Sequence, residues 1–223
     1  VWVRTTGTNQ RAEPVMSFVR WVMVNKYEMD NPAPEAVVPD LPAAVPASEL
    51  SGFPDMKTWD MALSGSPYTY DDYAVGEKIN HVDGMTVEEA EHQIATRLYQ
   101  NTAKVHFDAH GQKDSRFGKR LIYGGVVISI ARSLAFNGLA NAGQMLAINA
   151  GSHVSPLFAG DTIYAWSEVL DKATLSDTCG ALRLRLVAVK DQDPGAFAYK
   201  GDDGKYAGGV LLDFDYWAAI PRR

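Results

Sequence analysis

The segment Tyr99–Asp108, reading YQNTAKVHFD, gathers an amide, an imidazole and a carboxylate in one short stretch: Asn101, His106 and Asp108. Those types suit proton transfer, because a neutral imidazole can take and return a proton near neutral pH while polar neighbours orient it or a water. The stretch is polar and lies between two helical patterns, a commoner place for reactive groups than a packed helix face. Of the five histidines, only His106 has such company. The competing explanation is a loop histidine that merely caps or bonds locally. An amide carries no proton-accepting carboxylate, so Asn101 can orient a water or the ring but cannot be the base.

A second feature follows closely in the chain. Tyr123-Gly124-Gly125 opens the apolar, uncharged run Val126–Ala131. A helix starting there would offer free backbone N–H groups at its positive end, and glycine would let a ligand approach that backbone. This is the composition of an oxyanion hole. A tight turn needing small residues is the plainer alternative.

The elements that must hold these groups can be read in outline. Thr86-Val87-Glu88-Glu89 fits a capping box, and Ala90, Ile94, Ala95 and Leu98 keep helical spacing to about Tyr99. Gln100–Arg120 is expected to be a polar loop. The Gly-led helix is expected to run past Arg132 to Leu139. Arg132 interrupts its apolar face and needs a partner, a ligand or an orientation to the far side. Three strands are expected at Asp161–Leu170, Ala181–Lys190 and Gly209–Ala219, with a turn at Gly201–Gly204 before the last. Together these predict an α+β domain, an antiparallel sheet wrapped around one central helix.

The N-terminal part has a different texture. Val1–Arg4 alternates like a strand interior, and Val15–Val24 is a second strand-like run entered at Pro14. Met16–Val24 (MSFVRWVMV) and Leu212–Ile220 (LDFDYWAAI) place Phe and Trp at the same offsets. On that weak repeat, residues 1–29 are expected to be closing strands of a truncated first copy, with residues 68–223 a complete domain. Between them, residues 30–67 hold seven of the eleven prolines and no apolar periodicity, as a linker would.

Bulk properties narrow the function classes. A formal charge of −6 and a pI near 5.3 argue against nucleic acid or an anionic membrane as the main partner. One cysteine, Cys179, precludes an intrachain disulfide, and no Cys/His spacing resembles a metal site. A reducing cytoplasm is the setting that this cysteine usage fits, and no apolar run is long enough to span a bilayer.

The segment Ala90–Ala131, followed by Ser155-Pro156-Leu157-Phe158-Ala159-Gly160-Asp161, resembles the MaoC-like, or hydratase 2, branch of the hot-dog superfamily. The likeness extends in order over about Tyr70–Arg223, with Val1–Lys26 similar to the end of a first hot-dog half. That family pattern is Asp-x-Asn-x-x-His-x-Asp before a central helix opened by His-Gly, then Pro-x-Phe-x-Gly-Asp. This chain departs from it: Asn101 stands at the catalytic Asp position, Ala103 at the Asn and Tyr123 at the His of His-Gly. The resemblance implies a C-terminal hot-dog half that hydrates an enoyl-CoA thioester, or dehydrates its product. His106 would carry the acid–base work with Asn101 beside it. Asp108, Tyr123, Gly124 and Gly125 would bind substrate. Arg116, Lys119 and Arg120 form the densest basic cluster nearby, open to CoA phosphates, a substrate carboxylate or solvent alone. No cofactor is implied beyond CoA as part of the substrate, and the expected partner is a second hot-dog half or another copy. A hot-dog acyl-CoA thioesterase and a non-catalytic acyl-CoA-binding subunit remain alternatives.

Overall fold

In a computed structural model of the chain, the structure describes residues 1–24, 26–197 and 199–223. They divide into two units, Val1–Pro42 and Ala43–Arg223. The first is an antiparallel hairpin of β1 (Trp2–Thr8) and β2 (Pro14–Trp21). Asn9 closes its turn by accepting, through Oδ1, the N–H groups of Arg11 and Glu13. Pro14 is the first residue of its strand, a position where proline is tolerated.

The second unit contains α1 (Met61–Ser64), β3 (Lys78–Thr86), α2 (Glu89–Leu98), α3 (Gly124–Leu134), α4 (Phe136–Leu139), β4 (Met145–His153), β5 (Thr162–Thr174), β6 (Cys179–Lys190) and β7 (Val210–Pro221). The strands form one antiparallel sheet in the order β3-β5-β6-β7-β4. Period-two alternation sorts its side chains between two faces. Leu182, Leu184, Leu186 and Ala188 of β6 join Ile163, Ala165, Phe214 and Tyr216 in the core that packs α3 through Val126, Val127, Ile130, Ala131 and Leu134. The intervening residues serve other clusters. Ala181 and Trp217 meet Val45 and Leu50, and Cys179 and Ala219 meet Phe53 and Met56. Part of the proline-rich stretch thus covers the sheet and buries Leu50 and Met56. Toward the other end Trp166, Val187, Val189 and Val210 pack with Phe197, Tyr199 and Tyr206. Between these patches Arg183 pairs with Asp215 at 2.6 Å, and Arg185 lies 3.4 Å from Glu168 and 3.3 Å from Asp213.

The three expected strands are present and longer than predicted, while β3 and β4 were not anticipated. Both are edge strands with broken registers, between Asn80 and Gly84 in β3 and at two points in β4. Their mixed, polar and small residues follow from having only one neighbour and one partly covered face. The start of α2 also differs. Thr86 belongs to β3, with its hydroxyl bonded to that of Thr162 at 2.8 Å. The capping box is instead formed by Glu88 and Glu91. On α2 the buried side chains are His92 and Thr96, whereas Ile94 and Leu98 are exposed.

The central helix is shorter than its apolar run suggested. It stops at Leu134, and Asn137 and Gly138 have non-helical backbone within the following turn. Arg132 finds a partner in the protein: it donates to Tyr216 Oη at 2.7 Å and to the Gly143 carbonyl at 2.9 Å, with its guanidinium over the Tyr216 ring.

The break after α3 is bolted to the bulge in β3 through His81, whose side chain is fully buried. Its Nδ1 donates to the Asn137 carbonyl at 2.7 Å, and its Nε2 lies 2.8 Å from Ser167 Oγ. Burial pushes its pKa down to about 4 from the ordinary 6.5, so near neutral pH the ring is neutral and Nε2 accepts from the serine hydroxyl. Between those values the unfolded chain binds the proton and the native chain does not, so stability rises with pH across this window. The expected loss on acidification from above pH 6.5 to pH 4 is about 3 kcal/mol from this group. Denaturant unfolding of wild type and His81→Gln across pH 4–7 tests it; an equal pH slope in both proteins would exclude His81 as the source.

Candidate active site

The candidate site is assembled where α2, the loop after it and the start of α3 meet. Gln93, on α2, donates from Nε2 to the His106 carbonyl at 3.1 Å, and Leu121 N–H donates to the Val105 carbonyl at 3.1 Å. The backbone around His106 is thus tied on both sides. A single 3-10 turn, Lys104–His106, then aims the imidazole. His106 Nδ1 lies 2.9 Å from the Leu121 carbonyl. That oxygen can only accept, so Nδ1 carries the hydrogen, and in the neutral ring Nε2 presents its lone pair. The half-buried ring lies 5.5 Å, centroid to centroid, from Tyr123.

Tyr123 caps α3, and its N–H donates to His92 Nε2 at 2.9 Å. His92 is buried, which lowers its pKa, and nearby His106 and Arg120 push in the same direction. It therefore remains a neutral acceptor that satisfies the amide ahead of the helix. The next two N–H groups, of Gly124 and Gly125, lack intrahelical acceptors by helix geometry. They begin a helix whose following residues Val126 and Val127 are buried, so a developing negative charge there would meet oriented dipoles backed by an apolar wall.

The two glycines make room for rings. A Cβ on Gly124 would lie 2.5 Å from His153 Nε2, and one on Gly125 would lie 2.6 Å from Cε1 of Tyr123. His153, the last residue of β4, thus lays its imidazole against the helix start. His92 and His153 are both absent from the sequence-derived site. Their roles depend on contacts across 31 residues for His92 and Tyr123, and on sheet pairing for His153. The available local sign was a histidine, His92, on the same helix face as Thr96.

The other expected residues are placed differently. Asn101 Oδ1 accepts the Ala103 N–H at 2.9 Å and Asp108 Oδ1 accepts the Gly111 N–H at 2.9 Å. Both stabilise their own loop, and neither hydrogen-bonds His106 among the described residues. Arg120 is engaged by Glu89. Arg116 and Lys119 make no ion pair among the described residues and lie over Phe117 and Phe158, respectively. A cavity of about 370 Å³ is lined by Arg132, Phe136, Leu139 and Gly143 at the other end of α3 and holds none of these groups. Among the described residues no group of three or more His, Cys, Asp or Glu is placed to hold a metal ion, and no helix is long and apolar enough to cross a membrane.

No family model matches the chain. Two curated relatives align with all of it: a mesaconyl-CoA hydratase from Cereibacter sphaeroides at 59% identity, and a β-methylmalyl-CoA dehydratase from Chloroflexus aurantiacus at 54%. The crystal structure of a putative MaoC domain protein dehydratase from Chloroflexus aurantiacus superposes with a TM-score of 0.93 over 100% of the chain, at 54% identity. The chain thus has the hot-dog fold and is similar over its whole described length to MaoC-like dehydratases. It spans 64% of the length of the curated relatives and of that solved structure. Within the MaoC-like frame, β5–β7 with α3 form the sheet and central helix that the sequence pattern implied.

Proposed function

We propose that this chain carries the acid–base centre of a hydro-lyase that adds water to an enoyl-CoA thioester and, in reverse, removes it. The observation that carries the proposal is His106, with Nδ1 committed to the Leu121 carbonyl and Nε2 left free of that contact, next to Tyr123 at the start of α3. Nε2 takes a proton from water as the water oxygen bonds to the β-carbon. The carbon–carbon π pair moves to the thioester, giving an enolate whose oxygen accepts from Gly124 and Gly125 N–H. The imidazolium, held by Leu121, returns the proton to the α-carbon. Net addition of H and OH to one face of the double bond follows, and the steps need neither metal nor redox cofactor. General acid–base transfer of this kind is worth about 10²–10⁴-fold.

The acyl group proposed is mesaconyl, giving β-methylmalyl-CoA. The relatives' two names fit one reaction written in opposite directions. A second hot-dog unit, from another part of the protein or another copy, is the proposed partner. In support, β1 and β2 pair as β6 and β7 do, with Phe18 and Trp21 matching Phe214 and Trp217. Those first two aromatics are exposed and the second two buried. A cytoplasmic setting is part of the same reading, with Cys179 a buried, unpaired thiol.

Asn101 in place of an aspartate favours one alternative, a site that binds acyl-CoA without turning it over. Incubating the full chain with mesaconyl-CoA beside crotonyl-CoA, while following enoyl absorbance and free thiol, separates the cases. Loss of absorbance without thiol release is expected, faster with mesaconyl-CoA. Thiol release would indicate a thioesterase, and binding without either change a non-catalytic subunit.

A further inference from the structure

We infer that two turn tips beside the α3 N-terminus form the subsite for the phosphorylated adenine nucleotide of a CoA thioester, an inference that rests on the acyl-CoA reading above. The first turn is closed by Gly118 N–H to the Ser115 carbonyl at 3.0 Å and carries Arg116 and Phe117 at its tip. The second is closed by Asp161 N–H to the Phe158 carbonyl at 3.1 Å. The two turns meet through their aromatic rings, Phe117 and Phe158, edge to face at 5.5 Å. Above them lie two cations, Arg116 at 5.3 Å from the Phe117 centroid and Lys119 at 4.2 Å from that of Phe158.

Two features point to a nucleotide phosphate rather than a structural ion pair. Nearby charges of opposite sign are already engaged: Glu89 with Arg120, and Asp161 with the Phe158 N–H at 2.9 Å and with Lys190 at 3.3 Å. The loop's own carboxylates are Asp108, which accepts the Gly111 N–H, and Asp114, and neither cation pairs with them among the described residues. A locally cationic stretch, Lys113 to Arg120, also stands out on a chain of formal charge −6. Aromatic faces with adjacent cations are the surface that holds a purine and its phosphates.

Its position suits a tethered ligand. Ile122 N–H donates to the Leu157 carbonyl at 2.9 Å, placing Phe158 one residue from that bond on one segment and Gly124 two residues from it on the other. Backbone dimensions then keep Phe158 within roughly 18 Å of the first residue of α3. The pantetheine arm of CoA is the flexible chain that separates a thioester from its nucleotide, and it would bridge this gap.

The test titrates adenosine 3′,5′-bisphosphate into the full chain and compares enoyl-CoA with the matching enoyl-pantetheine as substrates. Arg116→Ala and Lys119→Ala are each expected to weaken bisphosphate binding about tenfold and to raise KM for the CoA thioester similarly. Both should leave kcat, thermal unfolding and turnover of the pantetheine thioester within about twofold. Phe158→Leu, which keeps an apolar side chain but removes the ring, should weaken the bisphosphate too. The inference is overturned if wild type does not bind the bisphosphate, if the Arg116→Ala/Lys119→Ala double variant binds it as wild type does, or if both thioesters suffer equally. Should wild type turn over neither thioester, the hydratase reading fails alone, and the bisphosphate titration still decides the subsite.

Discussion

Replacing His106 with glutamine is expected to lower kcat/KM for enoyl-CoA hydration by about 10²–10⁴-fold while leaving the fold intact. The substitution is chosen because the ring has two separable duties. Through Nδ1 it donates to the Leu121 carbonyl and helps fix the loop against the approach to α3. Through Nε2 it offers the lone pair that would accept water's proton. A glutamine amide can keep the first contact but cannot accept and return a proton. Alanine loses both, and the missing hydrogen bond should add a stability cost of about 1 kcal/mol. The two variants should therefore be equally inactive but differ in thermal unfolding. A glutamine variant within threefold of wild type would show that the imidazole only holds the loop and that the base lies elsewhere.

The elements that proved readable were those whose local pattern and tertiary role coincide. β5, β6 and β7 sit in the middle of the sheet and bury large residues on both faces, so their apolar content survives in sequence. The start of α3 was equally clear, since Gly124-Gly125 is followed directly by an uncharged run that becomes the core. Where long-range contacts decide, the pattern misled. The threonine placed to cap α2 is claimed by its β5 neighbour, and the helix packs by His92 rather than by Ile94 and Leu98. The apolar run beyond Arg132 predicts a continuous helix because nothing local announces that Asn137 leaves helical geometry, where its side-chain amide donates to the His81 carbonyl and to Asp83. In the candidate site, His106 was visible because it shares a short segment with other polar groups. His153 was not, because it reaches the helix only through the pairing of β4 with β7.

That hidden contact leads to the second large effect. Gly124→Ala is expected to reduce kcat/KM by about 10²-fold with little loss of stability, and the two halves of this expectation have different causes. At an early helical position alanine is preferred to glycine by up to about 1 kcal/mol, so the helix itself should tolerate the change. The added methyl, however, would stand 2.5 Å from His153 Nε2 and 2.7 Å from its Cε1. Those atoms are the far end of an exposed side chain, which can swing away at small cost. The ring would leave the helix start and the methyl would crowd the Gly124 N–H. Losing one oxyanion donor typically costs about 10²–10³-fold, so partial obstruction falls at the lower end. Comparison with His153→Ala divides the two contributions. If the alanine acts chiefly by expelling the imidazole, His153→Ala should match it and the double variant should be no worse than either alone. If obstruction of the amide dominates, His153→Ala should retain most activity and relieve the Gly124→Ala defect by vacating the space the methyl needs. Wild-type kinetics in Gly124→Ala would rule out both routes, because neither crowding of the Gly124 N–H nor displacement of the ring beside it could then matter to the reaction.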